Sequence, residues 1–451
     1  MKKSVGVYTA ISIVIANMIG TGVFTSIGFQ VIDIHSVFSI MLLWVAGGVI
    51  ALSGALTYGE LAARMPHSGG EYYYLSRIYH PSIGFLSGWI SLLVGFAAPV
   101  ALASIAFSKY LSSVFPLIHG YHIENHVAAG IILLLTSIHA YNVKAGSYFQ
   151  VSFTSIKIIL ISIFILSAFI IGGDRQTISI IPKMVDWKEI ISPAFAVSLV
   201  FVTYAYSGWN ASVYIASEIN NPKKNVPKSL LIGTAVVLLC YVLLNYVFLY
   251  TSPMSQLAGQ VEVGYISATN IFGNLGGRLM GLIISLLLIS TMSAMIFAGP
   301  RVIKVMGEDM KAFRFFSYQN NNGAPVYAIL LQCIITLIFI YTSSFESVLT
   351  YTGFTLNLFT FLTVAGIFVL RYRDKKNNVD DSKLTYKTWG YPFVPIIFLV
   401  ISLWILVFLM KEKTTESLLG LATVLSGFIF YYLTTKFETD KKKFETNDEE
   451  N

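Results

Sequence analysis

Residues 17–24 read NMIGTGVF and residues 201–219 read FVTYAYSGWNASVYIASEI, and the fold turns on what these stretches do inside apolar surroundings. The first lies about twelve residues into an apolar run that starts near Gly6, ~18 Å deep at ~1.5 Å of rise per residue. A bilayer's hydrocarbon core is about 30 Å thick, so Gly20, Thr21 and Gly22, a poor helix-forming sequence, fall near its middle. An unpaired backbone group there costs several kcal/mol. The second stretch puts Ser207 and Gly208 at mid-depth of its own run, between Tyr204, Tyr206 and Trp209. Unwound backbone at that depth is tolerated where it is buried in protein or lines a cavity. Freed N–H groups and a half-helix's positive end suit a carboxylate, and freed carbonyls suit an ammonium. A free α-amino acid carries both. Taken alone, Ala16 and Gly20 also fit small-xxx-small packing of an unbroken helix, and the aromatics around Ser207 also fit a core. A pair of such interruptions favours the broken reading.

Working outward, 55% of the 451 residues are hydrophobic and 12% charged. The mean hydropathy is +0.70. That is a polytopic membrane protein. Twelve apolar segments are legible, at 6–32, 37–63, 82–115, 126–143, 148–172, 190–217, 229–251, 274–300, 325–342, 346–370, 392–410 and 417–435. Lys2 and Lys3 before the first run resemble a signal peptide's start, but the run is too long for an h-region and is read as a span. The interrupted segments are the first and sixth. An offset of five makes the second copy enter from the opposite side, so spans 1–5 (about 6–172) and 6–10 (about 190–370) form an inverted repeat, with helices 11 and 12 (about 392–435) appended. Residues 1–435 are then one transmembrane transporter domain, and the charged segment 436–451 a disordered cytoplasmic tail.

The net charge of +7 does not require nucleic acid. With both termini in the cytoplasm, 22 of the 30 Lys and Arg fall on the inner side. Cys240 and Cys333 lie within apolar segments, so no disulfide is expected. His119, His122 and His126 are read as solvated loop residues, and neither a metal site nor a cofactor is expected. The sequence has no paired acid and base at one depth and no phosphate loop on a soluble domain, which argues against an enzyme or sensor. The short NNPKKNVPKS link between spans 6 and 7 argues against the 6+6 halves of major facilitators.

IGTGVF (19–24), MPHSGGEYYYLSRIY (65–79), GFLSGW (84–89) and AYSGWNASVYIASEINNPKKNVPKS (205–229) carry a family resemblance. The chain resembles the amino acid–polyamine–organocation superfamily, closest to its L-type amino acid transporter branch, over nearly the whole membrane domain. The resemblance implies an all-α, leucine-transporter-like 5+5 fold, with helices 1 and 6 broken at mid-membrane and amino acids moved by alternating access. One departure is VMGEDM at 305–310, where the family usually reads close to MARDG; NNGAP at 321–325 keeps the later Gly and Pro. Animal members that pair with a heavy-chain glycoprotein carry a cysteine between spans 3 and 4. FPLIHGYHIENH at 115–126 has none, which implies a single-chain prokaryotic carrier, monomeric in the cell's inner membrane, with no disulfide-linked heavy chain.

Charge logic and resemblance together assign the head-group site. The backbone at Ile19, Gly20, Thr21 and Gly22 would donate to the carboxylate, and carbonyls of Tyr204, Ala205 and Ser207 would accept from the ammonium. Tyr204 matches a position where the branch often has a gating Phe, and Trp209 would help narrow the pocket. No Asp or Glu lies near mid-depth in spans 1, 3, 6, 8 or 10, which favours neutral substrates. Glu60, at the end of span 2, is either a gating partner of an inner-face arginine such as Arg64 or Arg301, or a snorkelling boundary residue. HSGGEYYYLSR (67–77) is expected to be an interfacial helix, its tyrosines in the headgroup layer.

Lys157 is the only charge in the fifth span, about ten residues from its cytoplasmic end. A lysine kept at such depth costs at least a few kcal/mol and is a functional candidate. In the resembling superfamily a lysine there occupies the place where sodium-coupled relatives bind an ion, so sodium-independent exchange of neutral L-amino acids is implied. If the ammonium titrates, proton-coupled symport is the alternative; a carrier of cationic amino acids or polyamines is another.

Overall fold

The computed structural model of the chain describes residues 5–120, 123–141, 146–171, 175–179, 181–378 and 384–449. Among them the regular elements are all helical. Helix α1 (Val7–Met18) stops at Ile19, and α2 (Thr21–Asp33) restarts after Gly20, whose φ of −133° and ψ of −145° are not helical. Then come α3 (Val37–Arg64) and α4 (Gly70–Ile78). Helices α5 (Pro81–Ile90) and α6 (Ala97–Val114) are joined through a π-helical turn at Ser91–Gly95. Next are α7 (Pro116–Gly120), α8 (Glu124–Tyr141), α9 (Gly146–Ile170) and α10 (Met184–Ile190).

Helix α11 (Pro193–Ala205) begins with the Ser192 hydroxyl accepting from Phe195 N–H and with proline in its first turn, both standard start signals. It gives way at 206–210 to a 3₁₀ segment, Ala211–Glu218. Gly208 sits there at φ +93°, and a β-carbon on it would lie 2.8 Å from the Asn17 carbonyl oxygen. Left-handed backbone and this close approach both require glycine. The chain continues as α12 (Pro222–Thr251), α13 (Met254–Leu257) and α14 (Val263–Asp309), the last bent at Gly273, and then a 3₁₀ turn, Lys311–Ser317. Helices α15 (Val326–Thr342), α16 (Phe345–Lys376), α17 (Phe393–Glu412) and α18 (Thr414–Glu449) complete it.

Among the described residues, eight stretches are long and apolar enough to cross a membrane, four of them Val7–Asp33, Pro81–Val114, Val263–Asp309 and Thr414–Thr435. Three shorter apolar helices, Thr154–Ile170, Pro193–Ala205 and Val326–Thr342, accompany them. The chain is therefore a polytopic, all-helical membrane protein. Helix α18 runs on to Glu449, with neither Pro nor Gly after Gly427 to stop it. Lys2, Lys3 and His122 lie outside the described residues, as does the side chain of His119.

Packing places the breaks at the centre. α1 lies against α9 and α12, while α11 lies against α2, α3, α16 and α17. At one end Phe29 stacks on Phe345 at 5.8 Å and meets Phe201 at 5.9 Å between ring centroids. At the other, Val5 pairs in parallel with Ile219.

That second end also carries a buried ion cluster. The fully buried Glu60 carboxylate accepts from Arg64 at 2.8 and 3.0 Å, from Arg371 at 2.7 and 3.0 Å, and from Thr388 N–H at 2.7 Å. Arg64 also pairs with Asp374, and Arg371 stacks over Tyr391 at 3.7 Å. Glu60 is thus a buried anchor rather than a snorkelling residue. Its partners are Arg64 and Arg371, not Arg301, whose guanidinium bonds Phe297 O and covers that ring. The tyrosines of α4 also differ from expectation: Tyr72 and Tyr74 are buried in protein, because α4 packs against α5 and α16.

Breaking a buried pair strands the remaining charge at a cost of about 3–5 kcal/mol. Glu60→Gln should therefore lower the thermal unfolding midpoint of the detergent-purified protein by several degrees, read by size-exclusion chromatography after heating. An unchanged midpoint would show that the cluster contributes nothing to stability.

Candidate functional site

Each break leaves backbone groups without helical partners, and the structure supplies named ones. Lys157, on α9 and 1% exposed, donates from Nζ to Ile19 O at 3.2 Å and to Thr291 Oγ1 at 2.8 Å. Thr291, on α14, itself reaches Ile19 O at 3.3 Å and Leu287 O at 3.2 Å. The carbonyl that ends α1 is therefore held by an ammonium and a hydroxyl from two other helices. Tyr241, on α12 and fully buried, directs its hydroxyl to Met18 O at 2.5 Å and Ala205 O at 3.1 Å. One hydroxyl thereby touches the last carbonyls of both α1 and α11. Tyr206, its ring tilted against that of Tyr241 with centroids 4.9 Å apart, donates to Trp44 O at 3.0 Å.

The structure brings the sequence-derived residues together while changing some of their tasks. Ile19, Gly20, Thr21 and Gly22 are all buried. Ile19 N–H is taken by Ile15 O at 2.8 Å and its carbonyl by Lys157, so Ile19 offers a ligand little. Thr21 and Gly22 occupy the first turn of α2, where helix geometry leaves N–H groups without intrahelical acceptors and the dipole is positive. On the other break, the Ala205 carbonyl is engaged by Tyr241, and the Tyr204 carbonyl by Ser207 N–H at 2.9 Å. Tyr204 is buried, its hydroxyl against the Thr21 side chain, so one residue spans the two breaks.

Beside the second break lies a cavity of about 60 Å³. Tyr204, Ser207 and Trp209 form one wall, Ile50 of α3 and Phe398 of α17 others, and Asn357 and Thr360 of α16 supply polar groups. Its lining holds no charged residue. Trp209 is fixed by an edge contact with Tyr58, centroids 4.7 Å apart, and by Gly54, where a β-carbon would come within 2.7 Å of the indole.

Sequence reading missed Thr291 and Tyr241. Their signals are faint: a threonine in the polar run STMS (290–293), and a tyrosine in the otherwise apolar LLCYVLL (238–244). Asn357 and Thr360, on α16, were missed as well.

Two interrupted helices that touch inside a polytopic bundle, the second of them beside an uncharged cavity, define a membrane carrier for a small molecule. Residues 5–431 match the amino acid permease family, and the chain belongs to it. It is an integral membrane transporter, not an enzyme. It is 29% identical over 444 residues to the b(0,+)-type amino acid transporter 1 of Mus musculus, covering 96% of this chain and 88% of that one. The human protein of the same name is 28% identical over 441 residues, with the same coverage. Large neutral amino acids transporter small subunit 2 of Rattus norvegicus is 28% identical over 464 residues, covering 98% of this chain and 83% of the relative.

A β-carbon on Gly22 would overlap Ala205. The glycine is thus needed where the broken helices touch, as well as for any approach of a ligand. Gly22→Ala should lower both thermal stability and the initial rate of uptake into proteoliposomes, and Gly22→Leu should abolish uptake. Normal uptake by Gly22→Leu would remove this contact from the mechanism.

Proposed function

We propose that the protein is a sodium-independent exchanger of neutral L-amino acids working by alternating access. The observation that carries this reading is the bond from Lys157 Nζ to Ile19 O beside Thr291. A fixed protein cation sits against the carbonyl at the first break, so no metal cation is needed to satisfy it. The substrate carboxylate would meet the free N–H groups at Thr21 and Gly22, and its ammonium the carbonyl side of 204–207. The side chain would enter the uncharged cavity beside Trp209, where a cationic side chain finds no counter-charge. The names of the relatives, one a large neutral amino acids transporter, support the same substrate class.

We read the helices as twelve spans in a 5+5 inverted repeat. What supports this is the matching surroundings of the two breaks. α1 packs on α9 and α12, and α11 packs on α16 and α3, which are the partners a five-span offset exchanges. The surplus of Lys and Arg on one side supports a cytoplasmic location for both termini, in a cell membrane. The name of the rat relative makes it a small subunit of an assembly. The absence of cysteine from 115–126 supports a carrier that works without a disulfide-linked partner, as a monomer in the lipid bilayer.

Proteoliposomes preloaded with unlabelled alanine or leucine should take up the labelled amino acid at equal rates in sodium and in choline buffer, with no pH gradient. Arginine should compete poorly. Lys157→Ala should reduce uptake more than equilibrium binding. A requirement for a sodium gradient would overturn the proposal, and uptake driven only by a pH gradient would replace exchange with proton symport.

A further inference from the structure

Outside the head-group site lies a second buried carboxylate, Glu71, 5% exposed at the start of α4. Among the described residues it makes no ion pair. It accepts instead from three neutral donors on separate pieces of chain: Tyr58 Oη of α3 at 2.9 Å, Asn210 Nδ2 of the second break at 2.5 Å, and Tyr214 Oη of the 3₁₀ segment at 2.5 Å. Three residues earlier, Ser68 clasps Ser217 reciprocally, each backbone N–H donating to the other's hydroxyl at 3.0 Å.

The local sequence explains how a carboxylate reaches this position. Gly69 and Gly70 adopt φ of +116° and +55°, and a β-carbon on Gly70 would overlap the Tyr214 ring. The GlyGly pair lets the chain turn against the 3₁₀ segment and begin α4 there, with Glu71 in the first turn, where the helix dipole favours a negative charge. Tyr58, bonded to Glu71, also holds Trp209 edge-on at 4.7 Å. Asn210 adjoins Trp209 in the chain. Two of Glu71's three donors thus lead to the wall of the cavity.

We propose that Glu71 is a positioning residue for the substrate site: from α4 it sets the place of Trp209 and Asn210 through Tyr58, Asn210 and Tyr214. The proposal rests on the transport reading above and extends it to α4, which contributes no residue to the cavity lining. A glutamine at 71 keeps the shape but offers one acceptor oxygen and an NH₂ toward donors that all need acceptors.

Hydrogen bonds to a charged group are worth about 1.5–3 kcal/mol, so Glu71→Gln should raise the KM for amino acid uptake about tenfold or more. The maximum rate should stay within about twofold of wild type when corrected for folded protein; a merely structural role would lower that rate and leave KM alone. Tyr214→Phe, which keeps the ring, should raise KM in the same direction and add little in the Glu71→Gln background. A wild-type KM in Glu71→Gln, beside active wild-type protein, overturns the positioning role alone. No uptake by wild type overturns the transport reading instead. A second readout needs no transport. Losses of thermal midpoint in Glu71→Gln, Tyr214→Phe and the double variant should be less than additive, and additive losses would also overturn the proposal.

Discussion

The rest of this structure depends on one constraint: backbone N–H and C=O groups exposed by two helix breaks inside an apolar bundle must find partners there. Hydrocarbon supplies none, and each unmet group costs several kcal/mol. The chain meets the demand on the carbonyl side with three side chains from three other helices. Lys157 and Thr291 hold Ile19 O, and Tyr241 reaches Met18 O and Ala205 O. Among the described residues, no comparable protein anion meets the N–H side at the start of α2. In the proposed function that asymmetry is what would favour a carboxylate at the start of α2.

A second consequence is that the breaks are mechanically joined. Gly22 lies against Ala205 with no room for a methyl group, Gly208 lies against Asn17, and Tyr241 touches the ends of both half-helices. A movement of one half-helix therefore cannot leave the other untouched. Farther out, the Glu60 cluster ties α3, α16 and the segment at Thr388 together, and Glu71 ties α4 to the 3₁₀ half. The charged and polar groups at this end are shared between elements that follow each break, whereas the opposite end is closed by the apolar contact of Phe29, Phe201 and Phe345.

Much of this was legible in the chain itself, for physical reasons. Gly20 and the Ser207–Gly208 pair interrupt apolar runs at the depth where interruption is most costly, so both breaks could be placed to within a residue or two. Lys157 stood out because a lone charge in a span is rare. Tyr241 and Thr291 did not, since a single hydroxyl in a long apolar helix looks the same whether it bonds its own turn or a distant carbonyl. Glu60 was ambiguous because its main partner, Arg371, is 311 positions away. The three tyrosines of α4 misled: aromatic residues beside a span suit a headgroup layer, but only the packing of α4 against α5 and α16 tells that two of them are inside.

The central claim is that the two breaks form one site held by shared side chains, and Tyr241→Phe tests it most directly, because it removes one oxygen atom and leaves the ring. Equilibrium binding of a labelled neutral amino acid to the purified, folded variant is the measurement. We expect affinity to fall about tenfold, corresponding to about 1.4 kcal/mol, as the carbonyls of Met18 and Ala205 lose their common donor. Binding at wild-type affinity by a variant that elutes and melts as the wild type does would contradict the claim.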